Sequence, residues 1–197
     1  MGKIIAAIVT ATLDLKAGEE TCNLARQTAG VPCDIVVSYD KTPRGATMNA
    51  NAGFRRALQT DAKYIVYIVD DVRITQQGWL KRMIEVLDTD PKLGIATPSG
   101  KCRSVQGGGR PGMPQKVMLI PNMSFFCVVI KRTLMEDIGL LDESYIHYGS
   151  DNDYCMRANV RGWKFAWVQD VYAHHTSTPY IKKWKTRDQA LYQRRWK

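Results

Sequence analysis

The sequence predicts an α/β domain built on a mixed, mostly parallel sheet with helices on both faces. Three observations carry that reading. Strand-like runs at Lys3–Val9, Asp34–Ser38 and Tyr64–Val69 alternate with helix-like stretches, which is the βαβ rhythm of a parallel sheet. The run Tyr64–Val69 is apolar throughout rather than alternating, a pattern expected of a strand whose sheet is covered on both sides. At 197 residues the chain is long enough to bury a sizeable core as one domain.

Each element has its own signal. The first helix is expected near Glu19–Ala29, stopped by Gly30 with Pro32 beyond it. In the second, Asn51, Phe54 and Leu58 share a face, which sets an amide on the stripe that should meet the sheet and therefore requires a partner for it. The third is the clearest, with Trp79, Leu80, Met83, Ile84 and Leu87 at helical spacing, a core-packing stripe. After Gly94–Ala96 the periodicity fails over Ser99–Pro114, where glycines and prolines mix with Lys101, Arg103 and Arg110. A loop of that length in a compact domain is either a functional lid or a surface excursion. It carries neither GxxxxGK[ST] nor GxGxxG. Strand-like runs resume at Val117–Ile120 and Phe125–Ile130, followed by a helix from Arg132, a Gly139–Ser144 turn, a helix from Asp153 ended by Gly162, and a strand at Trp163–Trp167.

The formal net charge of +9 admits a polyanionic partner, but much of the excess sits at one end. Lys182, Lys183, Lys185, Arg187, Arg194, Arg195 and Lys197 are interleaved there with Tyr180, Trp184, Tyr192 and Trp196. Such a tail could stack on bases or lie at a membrane interface; an amphipathic helix docked by its aromatic face explains the same pattern. The expected organisation is residues 1–178 as the main domain and 179–197 as a basic, aromatic helix docked on it. The five cysteines show no zinc spacing, and Cys22, Cys127 and Cys155 sit in core-like surroundings, so reduced thiols are expected. No run of about 18 apolar residues occurs and the opening segment is too short for a signal peptide, which points to a cytoplasmic protein with at most peripheral membrane contact through the tail.

The chemistry-bearing residues fall into three groups. Asp70 and Asp71 follow directly on the apolar strand Tyr64–Val69, and ligands of such sheets bind just beyond the strand ends. A carboxylate pair there suits a hard divalent cation, and a turn residue beside a helix cap explains it equally. A second cluster holds Asp151 and Asp153. Asp153 is placed to complement a helix N-terminus, and Asp151, without that duty, is the candidate base. His174 and His175 are consecutive on an extended segment and point to opposite sides, so one of them at most can share an ion with the carboxylates. Arg157, four residues after Asp153, is placed for a structural i,i+4 pair.

In their order and spacing these pieces resemble a family. Ile138-Gly139-Leu140-Leu141-Asp142-Glu143 followed by Tyr148-Gly149-Ser150-Asp151-Asn152-Asp153-Tyr154-Cys155-Met156-Arg157 is similar to the GGFDE and YGEDxDLCxR signature of the inverting, nucleotide-sugar-dependent glycosyltransferases of family 2, which have the GT-A fold. Asn51-Ala52-Gly53 resembles that family's N-x-G helix, and Val69-Asp70-Asp71 its DxD region, with Val69 standing where the first acidic residue can be and Ser150 replacing the Glu of the ED pair.

The resemblance implies a GT-A domain that moves a sugar from a nucleoside diphosphate sugar, UDP-linked by preference, to a hydroxyl of a glycan, lipid-linked or protein acceptor. It implies Mn²⁺ or Mg²⁺ on Asp71 with His174 or His175, and Asp151 as general base. Thr10, Thr12 and Asp40, at the ends of the first two strand-like runs, are expected on the donor, with Ser38 the alternative to Asp40 at the end of the second; Asn51 and Asp70 are expected there too, and Arg103 and Arg110 on a loop over donor or acceptor. Two other classes compete. A metal-dependent nucleotidyltransferase shares the carboxylates but lacks a phosphate-gripping opening loop here. A nucleic-acid or nucleotide-sugar binding module accounts for the tail or the fold without catalysis.

Overall fold

The computed structural model describes residues 4–42, 44–102, 104–176 and 184–196. Among the described residues nine strands and six α-helices follow in the order β1 (Ala6–Thr12), α1 (Leu15–Thr28), β2 (Cys33–Tyr39), α2 (Ala46–Ala57), β3 (Tyr64–Ile68), β4 (Val72–Arg73), α3 (Trp79–Leu87), β5 (Leu93–Ser99), β6 (Val117–Leu119), β7 (Cys127–Lys131), α4 (Arg132–Ile138), α5 (Ser150–Val160), β8 (Lys164–Tyr172), β9 (His174–His175) and α6 (Lys185–Trp196). A seven-stranded sheet runs β2-β1-β3-β7-β5-β8-β6, and β4 pairs with β9 in a small second sheet. Within the large sheet β7 and β6 run against the other five strands. The sheet is mixed and mostly parallel, as the sequence predicts.

Side chains that alternate along each strand divide between two cores. Ala6, Ile8, Val66, Ile68, Cys127, Val129, Ala166 and Val168 pack with Cys22 and Ala25 of α1 and with the Trp79–Leu87 stripe of α3. Their neighbours Ala7, Val9, Ile65, Tyr67, Val128, Ile130, Phe165 and Trp167 pack with Ala50 and Phe54 of α2, Leu134 of α4, and Tyr154 and Cys155 of α5. A strand read from both faces has to be apolar at every position, which is the pattern of Tyr64–Ile68. All five cysteines are free, and burial pushes the Cys127 thiol up to about 12.

Element boundaries depart from the sequence reading where side chains cap. α1 begins at Leu15 rather than Glu19 because Oδ1 of Asp14 accepts the Ala17 N–H at 3.2 Å. Gly18 lies inside that helix, where a Cβ would meet Thr12 Cγ2 at 2.7 Å and Thr10 Cγ2 at 3.2 Å; it lets α1 approach β1 and β2 closely. β1 runs three residues beyond Val9, and α5 starts at Ser150 rather than Asp153. The Ser99–Pro114 segment is not structureless. It contains a 3₁₀ turn at Val105–Gly108, anchored by fully buried Gln106, whose Nε2 donates to the Ser124 carbonyl at 3.1 Å.

α6 touches the rest of the chain through polar contacts. The fully buried Asp188 carboxylate accepts the N–H groups of Ile146, His147 and Tyr148 at 3.3, 2.9 and 2.9 Å. Arg195 donates to Asp142 and Asp153. Tyr180, Lys182, Lys183 and Lys197 of the expected tail lie outside the described residues. Among the described residues no helix is long and apolar enough to cross a membrane.

Candidate active site

The parallel strands deliver their C-terminal ends to one edge of the sheet. Antiparallel β7 starts at the same edge, since Ile68 pairs with Cys127. At this edge the chain leaves β3 and turns through Asp70 and Asp71 into β4. The turn is held from below: Oγ1 of Thr12 donates to Oδ2 of Asp70 at 2.5 Å, and the Asp70 carbonyl accepts from Thr21 Oγ1 at 2.7 Å and Arg73 Nη1 at 2.9 Å. Asp70, Asp71 and Arg73 line a cleft of about 380 Å³ together with Ala17 and Thr176.

β4 and β9 bring the second metal-type donor to Asp71. Val72 pairs with His175, and the Thr176 N–H donates to the Asp71 carbonyl at 3.1 Å. His175 Nε2 then lies 3.2 Å from Asp71 Oδ1, while His174 is exposed. The ring is fixed by two further contacts. Nδ1 lies 2.8 Å from the Lys101 carbonyl, to which only a protonated Nδ1 can donate, and the ring stacks on Phe126 with centroids 5.4 Å apart and 6° between planes. The hydrogen bond to Asp71 raises the His175 pKa against the opposing effect of burial. This donor set fits a divalent cation. Two ligand atoms bound cis to one octahedral ion at about 2.1 Å each stand about 3 Å apart, and an imidazole whose Nδ1–H is held by a carbonyl presents Nε2 as the ligand. Among the described residues no group of three or more His, Cys, Asp or Glu gathers for a metal, so the chain would offer such an ion two ligands here, Asp71 and His175.

Asp151 reaches the same edge from α5. Gly149 caps this helix with φ +79°, a conformation L side chains rarely adopt, and its sharp turn puts Asp151 in the first helical turn. There Oδ1 accepts the Asn152 N–H at 2.8 Å. Burial raises the carboxyl pKa, and backbone donors from Asn152 and Phe125 oppose the rise. Burial raises the pKa of the Tyr67 hydroxyl on β3, and the charges of Asp70, Asp151 and Asp71 add to that effect, so both acidic groups act on the same buried phenol.

The helix-end duty expected of Asp153 falls to Asp151, which accepts a first-turn N–H. Fully buried Asp153 instead accepts from Arg157 Nε, Arg195 Nη1 and Trp196 Nε1, each at 2.9 Å. The i,i+4 pair with Arg157 is structural, as expected.

Most of the side chains expected on the donor are taken up internally. Thr10 is fully buried under α1, because β1 continues past it. Thr12, 2% exposed, spends its hydroxyl on Asp70 and on Asp14. Asn51 clamps a loop: Nδ2 donates to the Leu141 carbonyl at 2.8 Å and to Glu143 Oε1 at 3.0 Å, and Oδ1 accepts the Leu141 N–H at 3.1 Å. Its amide faces that loop because the loop's backbone is the partner it requires. Asp40 accepts the N–H groups of Arg44 and Thr42 at 3.1 Å each, which organises its own turn and lowers its pKa. Arg110 is exposed, and Arg103 lies outside the described residues. Sequence reasoning missed Tyr67, Thr21, Arg73 and Asp188. Only Asp188 had a signal, as the single acid in a basic tail helix.

A sheet of this order, with a carboxylate turn after β3 and a further acid on the following α5, defines a GT-A glycosyltransferase fold. The chain belongs to the family described as "Glycosyltransferase like family", whose model matches residues 8–108, just over half of its length. No curated protein matches the sequence. Among solved structures it is similar to GalNAc-T7, crystallised with UDP, GalNAc and Mn²⁺, at TM-score 0.68 and 10% identity over 92% of this chain and 45% of that one. It is similar also to S. aureus TarS 1-349, at TM-score 0.62 and 15% identity over 88% of this chain and 60% of that one. A197 from STIV matches at TM-score 0.58 and 9% identity over 89% and 86% of the two chains. The chain thus spans only 45% and 60% of the first two.

Proposed function

We propose that this protein transfers a sugar from a nucleoside diphosphate sugar, with UDP as the favoured nucleotide, to an acceptor hydroxyl with inversion, and that the reaction depends on Mn²⁺ or Mg²⁺. The observation that carries the reading is the meeting of Asp71 and His175, 3.2 Å apart at the strand-end edge where Asp70 and Asp71 line a cleft; the charge of Asp151 on α5 acts on the same Tyr67 hydroxyl as those of Asp70 and Asp71. The UDP and Mn²⁺ bound to GalNAc-T7 support the choice of nucleotide and metal.

Asp71 and His175 would hold the divalent cation, which when bound supplies positive charge against the diphosphate as it leaves. Asp70, tied to Thr12, lines the same cleft as Asp71. The Asp151 carboxylate takes the proton of the acceptor hydroxyl as its oxygen forms a bond to the anomeric carbon. The bond from that carbon to the diphosphate oxygen breaks on the opposite face, and the electron pair leaves with the diphosphate. A base works best when its pKa approaches the working pH, and the burial that raises the Asp151 pKa acts in that direction.

The test is Asp151→Asn, assayed against a panel of nucleoside diphosphate sugars and acceptors. Metal-dependent stabilisation by UDP should stay near wild type while transfer falls by roughly two to four orders of magnitude. Normal transfer by this variant would remove Asp151 from the chemistry, and full activity in excess EDTA would remove the metal. The tail helix α6 we propose to be an integral part of the domain, with Arg187 and Arg195 used within the chain rather than held for nucleic acid or membrane.

A further inference from the structure

The segment that delivers Asp151 is a loop. Between the end of α4 at Ile138 and the start of α5 at Ser150 no strand or helix fixes the backbone, so its position depends on what grips it. The near half, 138–143, is held by the body of the domain: Arg157 donates to the carbonyls of Ile138 and Leu140, both at 2.8 Å, and Asn51 clamps Leu141 and Glu143. The far half, 144–149, runs directly into Asp151. Its main grip from the body is the α2 N-terminus, where the Thr47 N–H donates to the Ile146 carbonyl at 3.4 Å.

Tyr145 of this half is fully buried and its hydroxyl donates to Asp153 at 3.5 Å, while the backbone from Ile146 to Tyr148 is gripped from α6. The Asp188 carboxylate, fully buried, takes three consecutive N–H groups, Ile146, His147 and Tyr148. Arg187 Nη1 donates both to Asp188 at 2.8 Å and to the Ser144 carbonyl at 2.9 Å. Tyr192 stands over Gly149, its Cβ 3.9 Å from where a Cβ on that glycine would lie. Arg195 and Trp196 both donate to Asp153, two positions after Asp151 on α5. An ionised carboxylate accepting three successive backbone donors is a rigid, directional fixture, since each charge-assisted bond is roughly twice as strong as a neutral one.

We infer that α6 is a latch that positions the proposed base, with Asp188 as its positioning residue: by holding the backbone of Ile146–Tyr148 it fixes the Gly149 turn and so the direction of the Asp151 carboxylate. The inference rests on the reading of Asp151 as the base. It assigns a catalytic consequence to a helix whose residues read in the sequence as a basic, aromatic tail. Releasing the latch lowers turnover without disturbing the donor side, because misplacing a reacting group by about 1 Å can cost on the order of a hundredfold in rate.

The experiment uses the full chain with Asp188→Ala and the milder Asp188→Asn, and with Arg194→Ala, an exposed change on the same helix, as control. Amide hydrogen exchange is followed at Ile146, His147 and Tyr148, at Asn152, whose N–H reports on Asp151 Oδ1, and at Val66 in the inner strand β3. Asp188→Ala should speed exchange at the first three and at Asn152 by roughly tenfold or more while Val66 stays unchanged. In transfer assays kcat should fall by about tenfold or more with donor KM within about twofold of wild type. Unchanged exchange at 146–148 overturns the latch, and so does a uniform rise that includes Val66, or a rise at 146–148 that stops short of Asn152. Should Asp151→Asn retain full transfer, the reading of the base fails while the exchange result still decides whether the latch exists. If Asp188→Ala does not fold, Asp188→Asn, which keeps one acceptor oxygen and the side-chain volume, gives the same ordering of effects.

Discussion

Oδ1 of Asp71 and Nε2 of His175 come within 3.2 Å of each other although 104 positions separate them in the chain. The four residues of the β4–β9 pair make that approach. His174, the other half of the dipeptide, is turned out to solvent, so period-two alternation on a two-residue strand selects which histidine can serve a metal.

The first prediction separates the two histidines. With UDP present, Mn²⁺ should raise the Tm of wild type and of His174→Ala alike, and should lose most of that effect in His175→Ala and Asp71→Asn. The effect should also shrink as pH falls. Asp71 holds the His175 proton more tightly than usual, and a cation must displace that proton from Nε2. In the metal-free protein the sign reverses: a raised His pKa stabilises the fold below the ordinary His value, and that contribution is lost as pH rises through the folded pKa. Equal stabilisation of the His174→Ala and His175→Ala variants would place the ion elsewhere.

Asn51→Ala tests the loop clamp. It removes both partners of the buried Leu141 peptide groups along with one donor to Glu143, which should cost about 1–3 kcal/mol in denaturant unfolding. The UDP-dependent Tm shift should persist. A stable Asn51→Ala variant that no longer responds to UDP would return Asn51 to the donor site.

The attachment of α6 should be sensitive to acid. Burial works against ionisation of Asp188, but the Tyr148, His147 and Ile146 N–H groups and Arg187 outweigh it and hold the carboxyl below its ordinary value. Asp142, which accepts from Arg195, is also held low, its backbone and Arg195 donors overcoming burial. A depressed carboxyl pKa contributes stability above the unfolded value that disappears as pH falls through the folded one. Fluorescence of Trp184 and Trp196 should therefore be flat from about pH 7 to pH 5 and change below about pH 4. In Asp188→Asn most of that acid transition should already be present at neutral pH; a wild-type curve in that variant would mean Asp188 does not hold the helix.

Much of this protein was legible from residue order alone. The apolar run Tyr64–Ile68 had to be an inner strand, the Trp79–Leu87 stripe had to face a core, and the YGSDND block singled out Asp151, because burial on two faces and helical periodicity leave direct marks on a sequence. The extents of β1 and α1 were not legible, because a strand end and an Asp14 cap depend on hydrogen bonds whose partners are not set by periodicity. That difference moved Thr10 from a strand end into the core. Tertiary structure alone decided the rest: which histidine meets Asp71, that Asn51 serves a loop ninety positions away, and that Asp153 and Asp188 tie a basic tail to the segment bearing the proposed base. Each of these is a polar contact between distant segments. Composition sets which groups a chain can bond, but only the folded path sets which of them come within about 3 Å.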